Sequence, residues 1–293
     1  MIRIEIGRRH YLLYLLLPHP LKSRLLTAAS RVKLERINRT FNETIYSGTG
    51  ASGYDQVHRY ALDEQHEYPA RPLVDRIWPG AGYGRALEVG AGSGYFTTLI
   101  ARHARSVLAL EPVADMQAVL KGRCRAEGVD NVEVLGVPAS ALATAVPAAS
   151  VDTAFIIQSL HHLHDRREVF RALGHVVRPG GRLLMVEPHH NLRRVARLFR
   201  KYLTTYHARE FWSDERHWAT HDFLTRGELK ALCRHGGFDR PRLSAFWIPY
   251  SRRFVPDPER RFQLERRLGR WPVFRHWGSV LGLEARRLPA TRS

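Results

Sequence analysis

From residue 85 onward, short runs of consecutive apolar residues alternate with stretches whose apolar positions recur every three or four residues. Ala86–Val89, Ser106–Leu110, Val132–Leu135, Val151–Ile157 and Arg182–Val186 read as strands. Helices fit from Tyr95, over Ala114–Ala126 and over Arg166–Val177. Strands without polar alternation are buried on both faces, so this pattern predicts a parallel sheet covered by helices on each side. Arg242–Ile248 and Ser279–Glu284 supply two later strands, with a helix near Arg226–His235 before them. Seven strands result.

The first 84 residues follow a different rhythm. Leu21–Ile37 has helical apolar spacing, the Ser47–Gly53 stretch breaks it, and Tyr54–Ile77 turns helical again around Pro69 and Pro72. Pro79–Gly84 reads as a loop. The expected organisation is a helical cap over 1–84, a core over 85–188, a helical insertion over 189–221 and a completion of the sheet over 222–293. Behind Arg8 and Arg9, the apolar run Tyr11–Leu17 is too short to span a bilayer and lacks a cleavage site at the right distance. It reads as a segment packed on the domain or at a dimer contact, with a shallow interfacial anchor as the alternative.

The candidate chemistry begins at Leu87-Glu88-Val89-Gly90-Ala91-Gly92-Ser93-Gly94-Tyr95, where a strand must turn sharply into a helix. Glycines there allow positive φ and a close ligand approach, and the helix start offers free N–H groups. The pattern is E-x-G-x-G-x-G, and Tyr95 stands where the third glycine of a dinucleotide fingerprint would fall. Glu111 closes the next strand, 21 residues after Gly90, where a carboxylate can accept both hydroxyls of a ribose. Together the two features are far more specific than either alone.

The chain thereby resembles a class I S-adenosylmethionine-dependent methyltransferase of the broad small-molecule branch. Ser150-Val151-Asp152 resembles the opening of that family's fourth strand, and Ser159-Leu160-His161-His162-Leu163 the turn after it. Arg178-Pro179-Gly180-Gly181 resembles its turn into strand five, and Asp222-Phe223-Leu224-Thr225 with Gly236-Gly237-Phe238 its last helix and glycine turn. The resemblance implies a Rossmann-like, doubly wound, mostly parallel sheet and S-adenosyl-L-methionine as cofactor. By position, Glu88, Gly90, Ala91, Gly92 and Gly94 would hold the methionine moiety and Glu111 the ribose. Pro112 and Met116 would lie against the adenine, and Gln158 near the methionine amino group or the transferred methyl. Gly136-Val137-Pro138-Ala139 departs from the family by carrying no carboxylate for the adenine amino group; backbone at Pro138 and Ala139, or Ser140, is expected to substitute.

For the transfer itself, His162 is the candidate general base, on the turn beyond the carboxyl end of the fourth strand. His161, His189 and His190 are candidate acceptor-lining residues, as are Tyr54 and Tyr60 on a helical lid. A zinc site from His161, His162 and His164 would need a fourth ligand, and no metal is expected.

Net charge sharpens the question of partners. Of the formal +18, residues 189–293 carry +13, while the core is nearly neutral. Such a field favours an anionic membrane surface, a phosphate-bearing substrate or nucleic acid. Asn191–Tyr206 interleaves Arg193, Arg194, Arg197, Arg200 and Lys201 with Leu192, Val195, Leu198, Phe199 and Leu203, which predicts separable cationic and apolar faces. No recognisable nucleic-acid-binding module is present, and the turn after the fourth strand lacks the Asn/Asp-Pro-Pro-aromatic signature of base-amino methyltransferases. A small or lipid-like acceptor is therefore the leading expectation; a nucleic-acid methyltransferase and a non-catalytic cofactor-binding protein are the alternatives. The two cysteines, Cys124 and Cys233, form no CxxC pattern, so the default setting is a reducing cytoplasm, with peripheral contact at the inner membrane face.

Overall fold

The computed structural model describes residues 3–5, 11–48, 50, 51, 53, 82–163, 165–205 and 222–289. In chain order its helices and strands are α1 Tyr11–Leu16, α2 His19–Leu25, α3 Ala28–Ile45, β1 Arg85–Val89, α4 Tyr95–Ala101, β2 Ser106–Leu110, α5 Ala114–Ala126 and β3 Val132–Leu135. There follow α6 Leu142–Ala145, β4 Val151–Ile157, α7 Arg166–Val176, β5 Val177–Pro188, α8 Leu192–Thr205, α9 Arg226–His235, β6 Arg242–Phe246, α10 Ser251–Phe254, α11 Pro258–Leu268 and β7 Val280–Arg286.

The strands form one seven-stranded sheet in the order β3-β2-β1-β4-β5-β7-β6. Strands β1 to β5 pair in parallel and β7 runs antiparallel to both neighbours. Alternate residues face opposite layers: Ala154 and Ile156 join one apolar cluster, Phe155 and Ile157 the other. Strand order reverses between β1 and β4, and the crevice at their carboxyl ends is where such a sheet takes a ligand. Asp152 braces the opposite end, accepting the Arg85 N–H at 2.7 Å and Arg178 Nε at 2.5 Å. Desolvation alone would raise its carboxyl pKa, but these partners hold it below the usual value.

Three boundaries differ from the pattern reading. The single helical stretch over Leu21–Ile37 is two helices, because Leu26 is extended (φ −63°, ψ 132°) and pairs with Ile4 instead. The Ile4 N–H donates to Leu25 O and the Thr27 N–H to Ile4 O, at 2.8 and 3.2 Å, so the break trades helix hydrogen bonds for bridge ones. Strand β5 begins five residues early: Val177 pairs with Val151 and Arg182 with Thr153, so the Arg178–Gly181 turn is a bulge inside the strand. Strand β6 stops at Phe246, because Trp247 takes a positive φ of 55°.

The N-terminal helices are pinned to the core by buried charges. Lys22 Nζ on α2 donates to Asp222 Oδ1 at 2.5 Å, and Arg166 at the start of α7 reaches Asp222 Oδ2 at 3.1 Å and Glu228 Oε1 at 2.8 Å. Desolvation lowers the Lys22 pKa against the opposing pull of Asp222. Around this clasp Tyr14, Leu15, Leu26 and Leu34 form a separate small core that also takes in Leu198 of α8. Removing one carboxylate leaves buried cations with too few partners. Asp222→Ala is thus expected to cost about 3–5 kcal/mol, measurable by denaturant unfolding.

Candidate functional site

The glycine turn springs directly from β1. The N–H groups of Gly90 and Ala91 both donate to Leu110 O, at 2.9 and 3.0 Å, which ties the turn to the end of β2. Gly94, at φ 79°, is the N-cap of α4. Two of these glycines do different work. A Cβ on Gly90 would meet Ser159 Cβ at 2.5 Å, and Ser159 is itself fixed by an Oγ–H bond to Val89 O at 2.6 Å. A Cβ on Gly92 would meet only Met116 Cε at 3.6 Å, so the turn faces open space there. Gly90→Ala is therefore expected to destabilise the fold by about 2–5 kcal/mol. Gly92→Ala should cost only about 1–2 kcal/mol of backbone strain while obstructing a ligand; unfolding and ligand titration separate the two.

Glu111 completes this half of the site. Its Oε2 accepts the Gly92 N–H and its Oε1 the Val113 N–H, both at 2.9 Å. Desolvation raises its pKa while these two N–H groups pull it back. Glu88 is buried beneath the turn, with Thr97 Oγ1 donating to it at 2.5 Å, and burial pushes its pKa up to about 8. The open side of Gly92, the two N–H groups fixing the carboxylate and the free helix start form a cradle that fits an adenosyl group.

The second half is the turn after β4. Gln158 sits at φ 52°, an uncommon conformation for a side-chain-bearing residue, and its N–H donates to Val186 O at 2.7 Å. Beyond it, Glu187 at the end of β5 organises the turn. Its Oε1 accepts the N–H groups of Ser159 and Leu160, each at 2.8 Å, and His161 Nδ1 donates to its Oε2 at 2.9 Å. Burial pushes the Glu187 carboxyl up to about 7 and the His161 imidazole down to about 3, so His161 is neutral. The His162 ring stacks obliquely on His161, 4.0 Å between centroids, and meets Tyr46 edge-to-face at 6.3 Å.

Tyr46 joins the halves. It follows α3, and burial, then the nearby Glu111 carboxylate, raises its phenol pKa to about 12. Two residues on, the Gly48 N–H donates to Asp115 Oδ2 at 2.7 Å. The segment after α3 thus crosses from the start of α5 toward His162.

The other expected site residues are placed as follows. Met116 is buried beside Gly92, Pro112 and Pro138 are exposed, and Ala139 is buried in a short 3-10 turn over Ala139–Ala141. His190 uses both ring nitrogens structurally: Nε2 donates to Leu16 O at 2.8 Å and Nδ1 accepts from Arg194 Nη1 at 2.6 Å. His189 donates from Nδ1 to Gly278 O at 3.0 Å. Both are buried, His189 beside the start of α8 and His190 between α8 and α1. Tyr54, Tyr60 and His164 lie outside the described residues. The sequence reading missed Glu187, Tyr46, Asp115 and Gln117. Gln117 donates from Nε2 to Glu111 O at 2.9 Å and stands beside Gly136, where a carboxylate is absent. For Glu187 a signal existed: an acidic residue ending an apolar strand, the same feature that marked Glu111.

Residues 87–185 match a family model described as a methyltransferase domain. This core is similar to S-adenosylmethionine-dependent methyltransferase domains. The chain is 31% identical over 127 residues to methyltransferase GfsG of Streptomyces halstedii, covering 43% of this chain and 45% of that one. It is 33% identical to the 27-O-demethylrifamycin SV methyltransferase of Amycolatopsis mediterranei (44% and 49% covered). To the ubiquinone biosynthesis O-methyltransferase of Methylococcus capsulatus it is 26% identical (53% and 63%). The alignments span about half the length of these curated relatives. In fold, it resembles Haemonchus contortus phosphoethanolamine N-methyltransferase 2 in complex with S-adenosyl-L-methionine, at TM-score 0.59 and 14% identity, covering 87% of this chain and 60% of that one. Among the described residues, no helix is long and apolar enough to cross a membrane.

Proposed function

We propose that this chain methylates an oxygen of a small, lipid-like acceptor, with His162 as general base. The observation that carries the reading is the convergence on Tyr46 of Glu111 from one half-site and His162 from the other. The names of the rifamycin and ubiquinone relatives, both of which specify oxygen as the acceptor atom, support it.

Bound S-adenosylmethionine would supply an activated methyl group, with its thioether as the leaving group that keeps the electron pair of the broken carbon–sulfur bond. The protein's task is alignment, exclusion of water and removal of one proton. Glu111 and the Gly90–Gly94 turn hold the adenosyl and methionine groups. His162 takes the acceptor's hydroxyl proton. His161, kept neutral and oriented by Glu187, acts as a positioning residue that fixes the ring stacked against it. Tyr46 closes the site over both.

Incubating the enzyme with methyl-labelled cofactor and fractionated host extract, then identifying the labelled species by mass spectrometry, tests the acceptor class. Label confined to RNA or protein would overturn it.

A further inference from the structure

Helix α8 turns apolar residues outward. Leu192, Phe199 and Leu203 are 67%, 51% and 64% exposed, and with exposed Ala196 they fall at i, i+4, i+7 and i+11, one stripe along one side. The opposite side is already satisfied: Leu198 packs against the small core of Ile4, Tyr14, Leu15, Leu26 and Leu34, and buried Arg194 lies 4.0 Å over the Phe223 ring. Arg193, Arg197 and Arg200 repeat the same spacing one residue on, so a cationic strip runs beside the apolar one. The sequence reading expected apolar and cationic faces; the structure splits the apolar residues between the core and water.

A second outward feature stands next to the first. Trp247 and Tyr250 hold φ values of 55° and 65°, which bulky residues rarely adopt. Buried Glu265 enforces that turn, accepting the N–H groups of Trp247 and Ile248 at 2.7 and 3.2 Å and the Ser251 hydroxyl. Its result is to project Tyr250 and Phe254, 73% and 78% exposed, beside exposed Arg252 and Arg253. Trp277, 45% exposed, lies on a third segment. Arg193 ties all three segments together, donating from Nη1 to Ser279 Oγ at 2.8 Å, Trp277 O at 3.4 Å and Trp247 O at 3.5 Å. These segments leave the carboxyl ends of β5 and β6 and enter the start of β7, the same edge of the sheet as the cofactor turn.

We infer that this rim docks onto an anionic lipid bilayer, with α8 lying flat among the headgroups. The apolar stripe and the aromatics enter the acyl boundary while the arginines meet lipid phosphates. Charge complementarity selects this occupant. A second copy packed antiparallel about a twofold axis perpendicular to α8 would set arginine strip against arginine strip, and no parallel pairing would use the cations at all. A nucleic acid would match the cations and stack on the aromatics, but would gain nothing from the leucines. Docking stands apart from the proposed methyl transfer, and it brings the open edge of the site to the surface where lipid-like acceptors partition.

The test is cosedimentation of the full chain with vesicles of phosphatidylcholine alone or mixed with phosphatidylglycerol, at rising salt. Binding should require phosphatidylglycerol, weaken with salt and shift the tryptophan emission to the blue. Arg197→Gln with Arg200→Gln should weaken binding about 25-fold, roughly fivefold per charge; Phe199→Ser with Leu203→Ser should weaken it at least about tenfold. All variants should keep the wild-type affinity for S-adenosylhomocysteine, which shows that they fold and separates this question from catalysis. Absence of binding to the mixed vesicles, equal binding by the serine variant, or a wild-type dimer that the serine substitutions dissociate would each overturn the inference. So would competition in which RNA binds tightly and the vesicles do not.

Discussion

Replacing Glu111 by alanine is expected to weaken S-adenosylmethionine binding by about 10²–10³-fold, with the protein still folded. The carboxylate stands at the β2 terminus with both oxygens fixed by backbone N–H groups, and it keeps lone pairs for two ribose hydroxyls. Hydrogen bonds to a charged acceptor contribute about 1.5–3 kcal/mol each, and alanine removes both together with the tie that shapes the turn at Gly92. Glu111→Gln should rescue little, because its amide nitrogen would face an N–H donor from either Gly92 or Val113. Calorimetric titration with the cofactor and with its demethylated product measures the effect. An affinity within about threefold of wild type would remove Glu111 from the site.

The second large effect concerns turnover. His162→Ala is expected to lower kcat by about 10²–10⁴-fold for a hydroxyl acceptor, with cofactor affinity unchanged. Glu187→Gln should act through His161 and give a smaller loss, of the order of tenfold, with a distinct signature in its pH profile. Burial places the Glu187 pKa near 7, above its ordinary value. The ionised form, which accepts three N–H groups, is therefore lost as pH falls through about 7, and wild-type activity should decline on that side. The glutamine variant cannot titrate there, so its acid limb should flatten. A glutamine variant that keeps the wild-type acid limb would assign that limb to another group.

How far the sequence could be read depended on whether the decisive contacts were local. Strands β1, β2 and β4 were legible because most of their residues are buried and apolar without alternation. The cofactor half-site was legible because a glycine turn and a strand-ending acid lie 21 residues apart on adjacent strands. Tyr46 was not: its importance comes from lying between residues 111 and 162, a proximity that only the folded cap creates. The end of β6 was equally hidden, since nothing in Arg242–Ile248 announces that Glu265, on a later helix, will pull Trp247 out of the strand. His190 looked like a site residue by its place after strand five, yet its two nitrogens are spent on Leu16 and Arg194.

The buried ions joining Lys22, Asp222, Arg166 and Glu228 also bear on how the cofactor comes and goes. Lifting α2 away would part Lys22 from Asp222 and open the small core of Tyr14, Leu15, Leu26 and Leu34, so swinging the N-terminal helices out as a unit is costly. Access is expected instead at the stretch past Ile45, where, among the described residues, Gly48 bonds to Asp115 and the Tyr46 ring meets His162.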